Sequence, residues 1–234
     1  MLAKTLTLTD WLSHQTALSE TGFVVLPPLV SPDECRKLAG LFDVPDLYRK
    51  TIVMQRHGYG SGEYKYFNYP LPPTIDTLRH ELFTQIAPVA NDWNEKLGIP
   101  QRYPTDLDDW LKTCHKAGQN RPTALILKYG VGDWNALHQD IYGELYFPFQ
   151  AVLFLNQPDQ DFSGGEFVLV EQRPRMQSKA IVLQPKQGQI VLFTTKYRPA
   201  KGSRGYHRMG MRHGVSDVKA GQRMTVGIIF HDAA

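Results

Sequence analysis

Ala136-Leu137-His138-Gln139-Asp140-Ile141-Tyr142 sets two side chains able to ligate a metal inside a run of strand-compatible residues. Side chains alternate between the two faces of a strand, so His138 and Asp140 are expected on one face and Gln139 on the other. By itself the pair also fits a polar strand face on which a histidine hydrogen-bonds a carboxylate.

The C-terminal stretch supplies further partners. Arg212-His213-Gly214-Val215-Ser216 is followed by a short polar connection, then by Arg223-Met224-Thr225-Val226-Gly227-Ile228-Ile229-Phe230, which reads as a closing strand. The two segments are expected to form a hairpin. On the closing strand Met224, Val226, Ile228 and Phe230 share one face, while Arg223, Thr225, Gly227 and Ile229 share the other. Arg223 and Thr225 then point together into a cavity, where a guanidinium fork can hold a carboxylate bidentately. Two histidines and one carboxylate can occupy one face of Fe(II) and leave positions open for oxygen-activating chemistry. His207 rivals His213 as the second imidazole. Its surroundings read as a loop, and the short step from His213 to Arg223 favours His213.

This order of elements resembles the Fe(II)/2-oxoglutarate-dependent dioxygenase superfamily from about Thr123 to Phe230, with a looser match upstream. Ser163-Gly164-Gly165-Glu166-Phe167 looks like that family's turn into a strand, and Gly188-Gln189-Ile190-Val191-Leu192-Phe193 like the strand leading toward the distal ligand. The resemblance implies Fe(II) held by His138, Asp140 and His213. It also implies 2-oxoglutarate anchored by Arg223 with Thr225 and Tyr129 nearby, dioxygen as oxidant, and hydroxylation of a substrate C–H bond. The fold it implies is α+β, a double-stranded β-helix (jelly roll) of antiparallel strands backed by N-terminal helices.

Within the superfamily the whole chain looks like a bacterial group of oxygenases with a proposed AlkB-like role on damaged nucleic acid. That likeness implies oxidative demethylation of alkylated bases, a part in DNA repair, and single-stranded or damaged nucleic acid as partner. The sequence departs from the AlkB pattern at Ile229, where that branch carries a second arginine, and at Leu127, where it carries an asparagine. The short step from His213 to Arg223 is more like the prolyl hydroxylases. A hydroxylase of prolyl or other protein side chains, a small-metabolite hydroxylase, and a cupin-like metal-binding module without turnover are the alternatives.

The chain of 234 residues, 42% hydrophobic and 21% charged, suits one domain with a sizeable core. It is expected to divide into a helix-rich part over 1–122 and a catalytic core over 123–234. Cys35 and Cys114 lack the spacing of a disulfide framework or zinc ribbon and read as reduced, buried thiols. Met1 to Gln15 lacks the pattern of a secretory leader, and no stretch is apolar for long enough to span a bilayer, so a cytoplasmic monomer or weak homodimer without membrane contact is expected. The net charge of +3 favours approach to a polyanion without establishing one.

Helices are expected over Thr9–Ser19, behind the capping box Ser31-Pro32-Asp33-Glu34, over Thr74–Leu97 with a kink at Pro88, and around Leu107–Cys114. Strands are expected at Gly22–Leu26 and Thr123–Tyr129, then at about 148–156, 166–171, 179–184 and 189–194. Two segments suit a substrate. The first runs from Arg56 to Tyr69, where glycines permit a mobile lid and Tyr59, Tyr66, Asn68 and Tyr69 offer stacking and amide groups. The second is a basic loop from Lys196 to Arg208 with Arg198, Lys201 and Arg204, suited to the phosphates of an extruded base.

Overall fold

The computed structural model describes residues 9–140, 143–173 and 175–234. Its helices are α1 (Trp11–Thr21), α2 (Pro32–Gly40), α3 (Pro73–Lys96) and α4 (Leu107–Lys116). The first strands are β1 (Phe23–Val25), β2 (Tyr48–Val53), β3 (Gly60–Ser61), β4 (Glu63–Phe67), β5 (Leu125–Tyr129) and β6 (Trp134–His138). There follow β7 (Phe149–Phe154), β8 (Phe162–Gly164), β9 (Phe167–Gln172), β10 (Lys179–Leu183) and β11 (Ile190–Thr194). The last are β12 (Tyr197–Gly202), β13 (Gly205–Val215), β14 (Val218–Gly221) and β15 (Arg223–Ile229).

Local chemistry sets the helix boundaries. The Ser31 hydroxyl accepts the Glu34 amide at 3.3 Å with Pro32 in the first turn, and the Asp106 carboxylate accepts the amides of Asp108 and Asp109. α3 remains helical through Pro88. Among the described residues no helix is long and apolar enough to cross a membrane.

All but two of the strands form two facing antiparallel sheets, the jelly roll expected from the sequence, and β8 pairs with β14 apart from them. The larger runs β1-β11-β7-β15-β5-β4-β2, and the smaller β10-β9-β13-β6-β3 with β12 beside β13. Alternation divides the large sheet between two cores. Phe149, Ala151 and Leu153 of β7, with Met224, Val226 and Ile228 of β15, join Ile75, Leu82, Ile86 and Trp93 of α3. Val152, Phe154, Val191 and Phe193 turn the other way and meet Phe167, Leu169 and Met211 of the small sheet.

Several expectations change at this level. β13 and β15 do not form a hairpin: β13 lies in the small sheet, β15 in the large one, and β14 between them pairs with β8. Every residue of β15 is buried, so it takes an interior place between β5 and β7 instead of an edge beside β13. The basic stretch is no loop either. β12 and β13 pair from Tyr197 opposite Gly210 to Gly202 opposite Gly205. In the expected lid, Glu63–Phe67 is a strand hydrogen-bonded between β2 and β5. Residues before 123 thus supply strands of both sheets as well as the helices.

The chain's end is held by a buried ion pair. Asp232 Oδ1 lies 2.8 Å from Arg79 NH2, and Arg79 also donates through Nε to the Ile229 carbonyl and through NH1 to the Tyr69 hydroxyl. Tyr69 in turn donates to Asp232, and His115 Nε2 stands 2.8 Å from its other oxygen. Burial by itself pushes the Asp232 carboxyl up. The Arg79 charge, with the bonds from His115, Arg79 and Tyr69, outweighs burial and holds it below the ordinary carboxylate range. Its contribution to stability is therefore complete above the unfolded value and is lost as pH falls through the depressed folded one. Asp232→Asn leaves Arg79 buried without its counter-charge and is expected to cost about 3–5 kcal/mol. Urea titrations repeated from neutral to acid pH should show a smaller acid-induced loss in the variant than in the wild type. Identical pH slopes for the two proteins would refute this account.

Candidate active site

In the pairing of β13 with β6, His213 stands opposite His138. Directly opposed residues share a face, and the two imidazole centroids are 4.2 Å apart. The register shifts immediately after His213, where a Cβ on Gly214 would come within 2.7 Å of the Asn135 carbonyl oxygen, so the close approach of the strands requires glycine. Asp140 does not lie on the strand as expected. β6 ends at His138, and the carboxylate is carried in by the two residues that follow. Gln139 holds that turn, donating to the carbonyls of Lys196 at 2.7 Å and Met211 at 2.8 Å. The expected strand continuation through Ile141 and Tyr142 lies outside the described residues.

Asp140 Oδ1 is 3.4 Å from His138 Nε2, and Oδ2 is 3.3 Å from His213 Nε2. One donor atom from each residue lies within 4.8 Å of the others. His138 Nδ1 is 2.7 Å from the Ala136 carbonyl, which can only accept, so Nδ1 carries a proton and Nε2 is the nitrogen turned to the cluster, where it donates to the Asp140 carboxylate. Burial would raise the Asp140 pKa, but the bonds with His138 and His213 hold it well below the usual carboxylate range. The His213 ring packs 4.7 Å from Phe193 and 6.0 Å from Phe167, and burial lowers its pKa. His138 moves up because its bond to Asp140 outweighs burial, and a bound cation would displace that proton.

The facing wall comes from the large sheet. β15 pairs with β5 so that Arg223 stands opposite Tyr129, and both are buried. All three guanidinium nitrogens of Arg223 are buried without a hydrogen-bond partner among the described residues. The guanidinium carbon sits 5.4 Å from the Tyr129 ring and 5.2 Å from that of Phe154, and burial lowers the Arg223 pKa to about 10. Gly165, at φ +60°, crosses over this side chain, where a Cβ would meet Arg223 Cδ at 2.9 Å. The Tyr129 hydroxyl accepts from Asn135 at 3.3 Å, and burial pushes its pKa up to about 12.

Both walls line one cavity of about 600 Å³, which includes His138, Asp140, His213, Tyr129, Arg223 and Thr225. Tyr59 and Tyr66 line it as well. The other expected substrate residues lie elsewhere. Tyr69 belongs to the Asp232 network, Asn68 is exposed with its backbone N–H donating to the Leu47 carbonyl, and Arg198 is paired with Glu171 at 2.6 Å. Lys201 and Arg204 are exposed near the turn between β12 and β13, and His207 is exposed on β13 away from the cluster. The sequence reading missed Gln139, Asn135, Tyr64 and Gln150. Tyr64 shares a strand face with Tyr66, and Gln150 is the lone polar residue of an apolar strand; both signals were present.

Chemically, one wall offers three converging donors to a cation and the other an unpaired cation to an anion. Anaerobic equilibrium dialysis is expected to show one Fe(II) per chain for the wild type and His207→Ala, and strongly weakened binding for His213→Ala. Loss of iron from His207→Ala with retention by His213→Ala would reverse the assignment.

Comparison with known proteins agrees with this geometry. A family model described as "Oxygenase, catalysing oxidative methylation of damaged DNA" matches residues 62–233. Two Mycobacterium tuberculosis proteins, Uncharacterized protein MT2286 and Uncharacterized protein Rv2227, are each 52% identical over 168 residues, 72% of this chain and 72% of theirs. An oxidoreductase of the 2OG-Fe(II) oxygenase family from Burkholderia pseudomallei superposes with a TM-score of 0.59 at 16% identity, covering 96% of this chain and 93% of that one. A Pseudomonas putida prolyl-4-hydroxylase gives 0.54 at 13% identity, covering 96% and 99%. At such identities these two structures share the fold. The chain belongs to the oxygenase family matched over residues 62–233.

Proposed function

We propose that His138, Asp140 and His213 hold Fe(II), that Arg223 anchors the distal carboxylate of 2-oxoglutarate beside Thr225 and Tyr129, and that the substrate is a methylated nucleic-acid base. The observation that carries this reading is the buried, unpaired Arg223 guanidinium in the same cavity as the donor cluster. An isolated buried cation is strongly unfavourable, and a dicarboxylate would supply both its counter-charge and its hydrogen-bond acceptors. Two imidazoles and an ionised carboxylate suit Fe(II). When bound, Fe(II) with 2-oxoglutarate and dioxygen supplies the oxidising power to hydroxylate a C–H bond.

The chain's own groups bind and orient. His138 keeps its Nε2 turned to the metal position through its bond to the Ala136 carbonyl, and Gln139 fixes the turn that carries Asp140. Phe167 lines the cavity, and Phe154 and Phe193 pack against it behind. Tyr64 and Tyr66, edge to face at 5.5 Å, offer apolar surface to a planar base. Lys201 and Arg204 are exposed at the turn between β12 and β13 and would meet the phosphates of a bound strand there. For an N-methyl substrate the overall change is methylated base, dioxygen and 2-oxoglutarate to free base, formaldehyde, succinate and carbon dioxide. The family description, with its reference to damaged DNA, supports this substrate over a protein side chain.

Arg223→Ala is expected to raise the 2-oxoglutarate concentration needed for half-maximal turnover about thirtyfold or more, equivalent to about 2 kcal/mol, with iron binding unchanged. An unchanged requirement would assign the carboxylate to another residue. Iron-loaded protein is expected to produce succinate and formaldehyde in equal amounts from methylated single-stranded oligonucleotides. Lys201→Gln with Arg204→Gln should weaken binding across sequences and flatten its salt dependence. Succinate formed with a proline-containing peptide or a small metabolite, and no formaldehyde from any methylated DNA or RNA, would replace this reading with a hydroxylase of that substrate.

A further inference from the structure

Gln150 is the lone polar residue in β7, Phe149-Gln150-Ala151-Val152-Leu153-Phe154. Its neighbours Phe149 and Ala151 enter the helix-side core, so Gln150 faces the other way with Val152 and Phe154, and it lines the cavity. The side chain is 5% exposed, and its Oε1 is buried without a hydrogen-bond partner among the described residues. A buried carboxamide in that state destabilises a fold, and this one sits where a ligand can meet it.

Sheet register separates it from the co-substrate anchor. β15 places Thr225 opposite Phe154 and Ile229 opposite Gln150, so the amide lies six residues along β15 from Arg223. At about 3.4 Å per residue that is roughly 20 Å. The five-carbon chain of 2-oxoglutarate is roughly 5 Å long at about 1.5 Å per bond, about a quarter of that backbone separation. Beside Gln150, Ile229 packs with Tyr66, whose ring is edge to face with Tyr64. An amide offers an acceptor and a donor side by side, and together with flat aromatic surface this suits a planar heterocycle carrying an N–H donor next to a ring-nitrogen acceptor. Adenine presents such a pair at its N6/N7 edge, which stays free when N1 carries a methyl group, whereas the N4/N3 pair of cytosine loses its acceptor when N3 carries the methyl.

We propose that Gln150 is the specificity-determining residue of the substrate half of this cavity, reading the N6/N7 edge of an alkylated adenine. The inference rests on the nucleic-acid reading above. Its test compares single-stranded oligonucleotides that differ at one base, 1-methyladenine or 1-methylhypoxanthine, which replaces the N6 amino group by a carbonyl. The wild type is expected to release formaldehyde faster from the adenine. Gln150→Leu and Gln150→Met, which keep an apolar side chain of similar bulk, should lower kcat/KM on 1-methyladenine about tenfold or more and change the hypoxanthine rate little, collapsing the preference. The 2-oxoglutarate requirement should stay constant and the melting temperature should hold or rise, because an unpaired buried amide has been removed. An undiminished preference in both variants overturns the inference alone, as does a raised 2-oxoglutarate requirement or a parallel loss on both substrates with lowered stability. No formaldehyde from the wild type with either oligonucleotide sinks the nucleic-acid reading and this inference with it.

Discussion

β15 is buried on both faces, and the alternation of its side chains fixes what each side of the large sheet can do. Met224, Val226 and Ile228 bind the sheet to α3, while Arg223, Thr225 and Gly227 face the cavity. A slip of one residue would move the guanidinium into the helix-side core and an isoleucine into the site. The strand is therefore held firmly, by β5 and β7 along its length and by the Arg79–Asp232 pair just beyond its end. The same burial that secures the register deprives Arg223 of water, and this leaves its charge available to a ligand.

Several orphaned polar atoms lie together. Gln150 Oε1, His213 Nδ1 and the three nitrogens of Arg223 are buried without hydrogen-bond partners among the described residues and belong to residues lining one cavity. Polar groups left in that state lower stability wherever they occur, so their concentration around one space marks where packing has given way to binding. By contrast, Arg79 is as deeply buried as Arg223, yet each of its nitrogens is bonded. One arginine has every nitrogen bonded; the other has none bonded among the described residues.

Much of this was legible in the sequence because it follows from alternation. The two faces of the closing strand, the Ser31 cap and the apolar stripes of α3 and α4 all come from local periodicity, and the structure follows them. The step to Arg223 on which the sequence favours His213 over His207 assumes a hairpin that the structure does not form, and it is the pairing of β13 with β6 that brings His213 to His138 and Asp140. Hidden from the sequence were features that depend on partners far along the chain. Tyr69 looks like a stacking residue until Arg79 and Asp232 are brought to its hydroxyl. Arg198 looks like a phosphate contact until Glu171 faces it across the small sheet. Gln139 reads as the uninformative middle of a motif, although its amide holds the turn that delivers Asp140.

The step from His213 to Arg223 shows why spacing alone misleads. Ten residues suit a hairpin between adjacent strands, and on that ground the motif resembles the prolyl hydroxylases. Here the same interval leaves the small sheet at Val215, pairs β14 with β8 on the way, and arrives in the middle of the large sheet. The His138–Asp140–His213 cluster and the Arg223 guanidinium therefore stand on opposing walls of one cavity, whereas a hairpin would have set them side by side on one wall. Spacing measures how much chain connects two groups, and the sheets on which the groups lie decide whether a ligand can fit between them. Subfamily assignments drawn from such an interval constrain the connection and leave the substrate to the residues that line the cavity, Tyr64, Tyr66 and Gln150 among them.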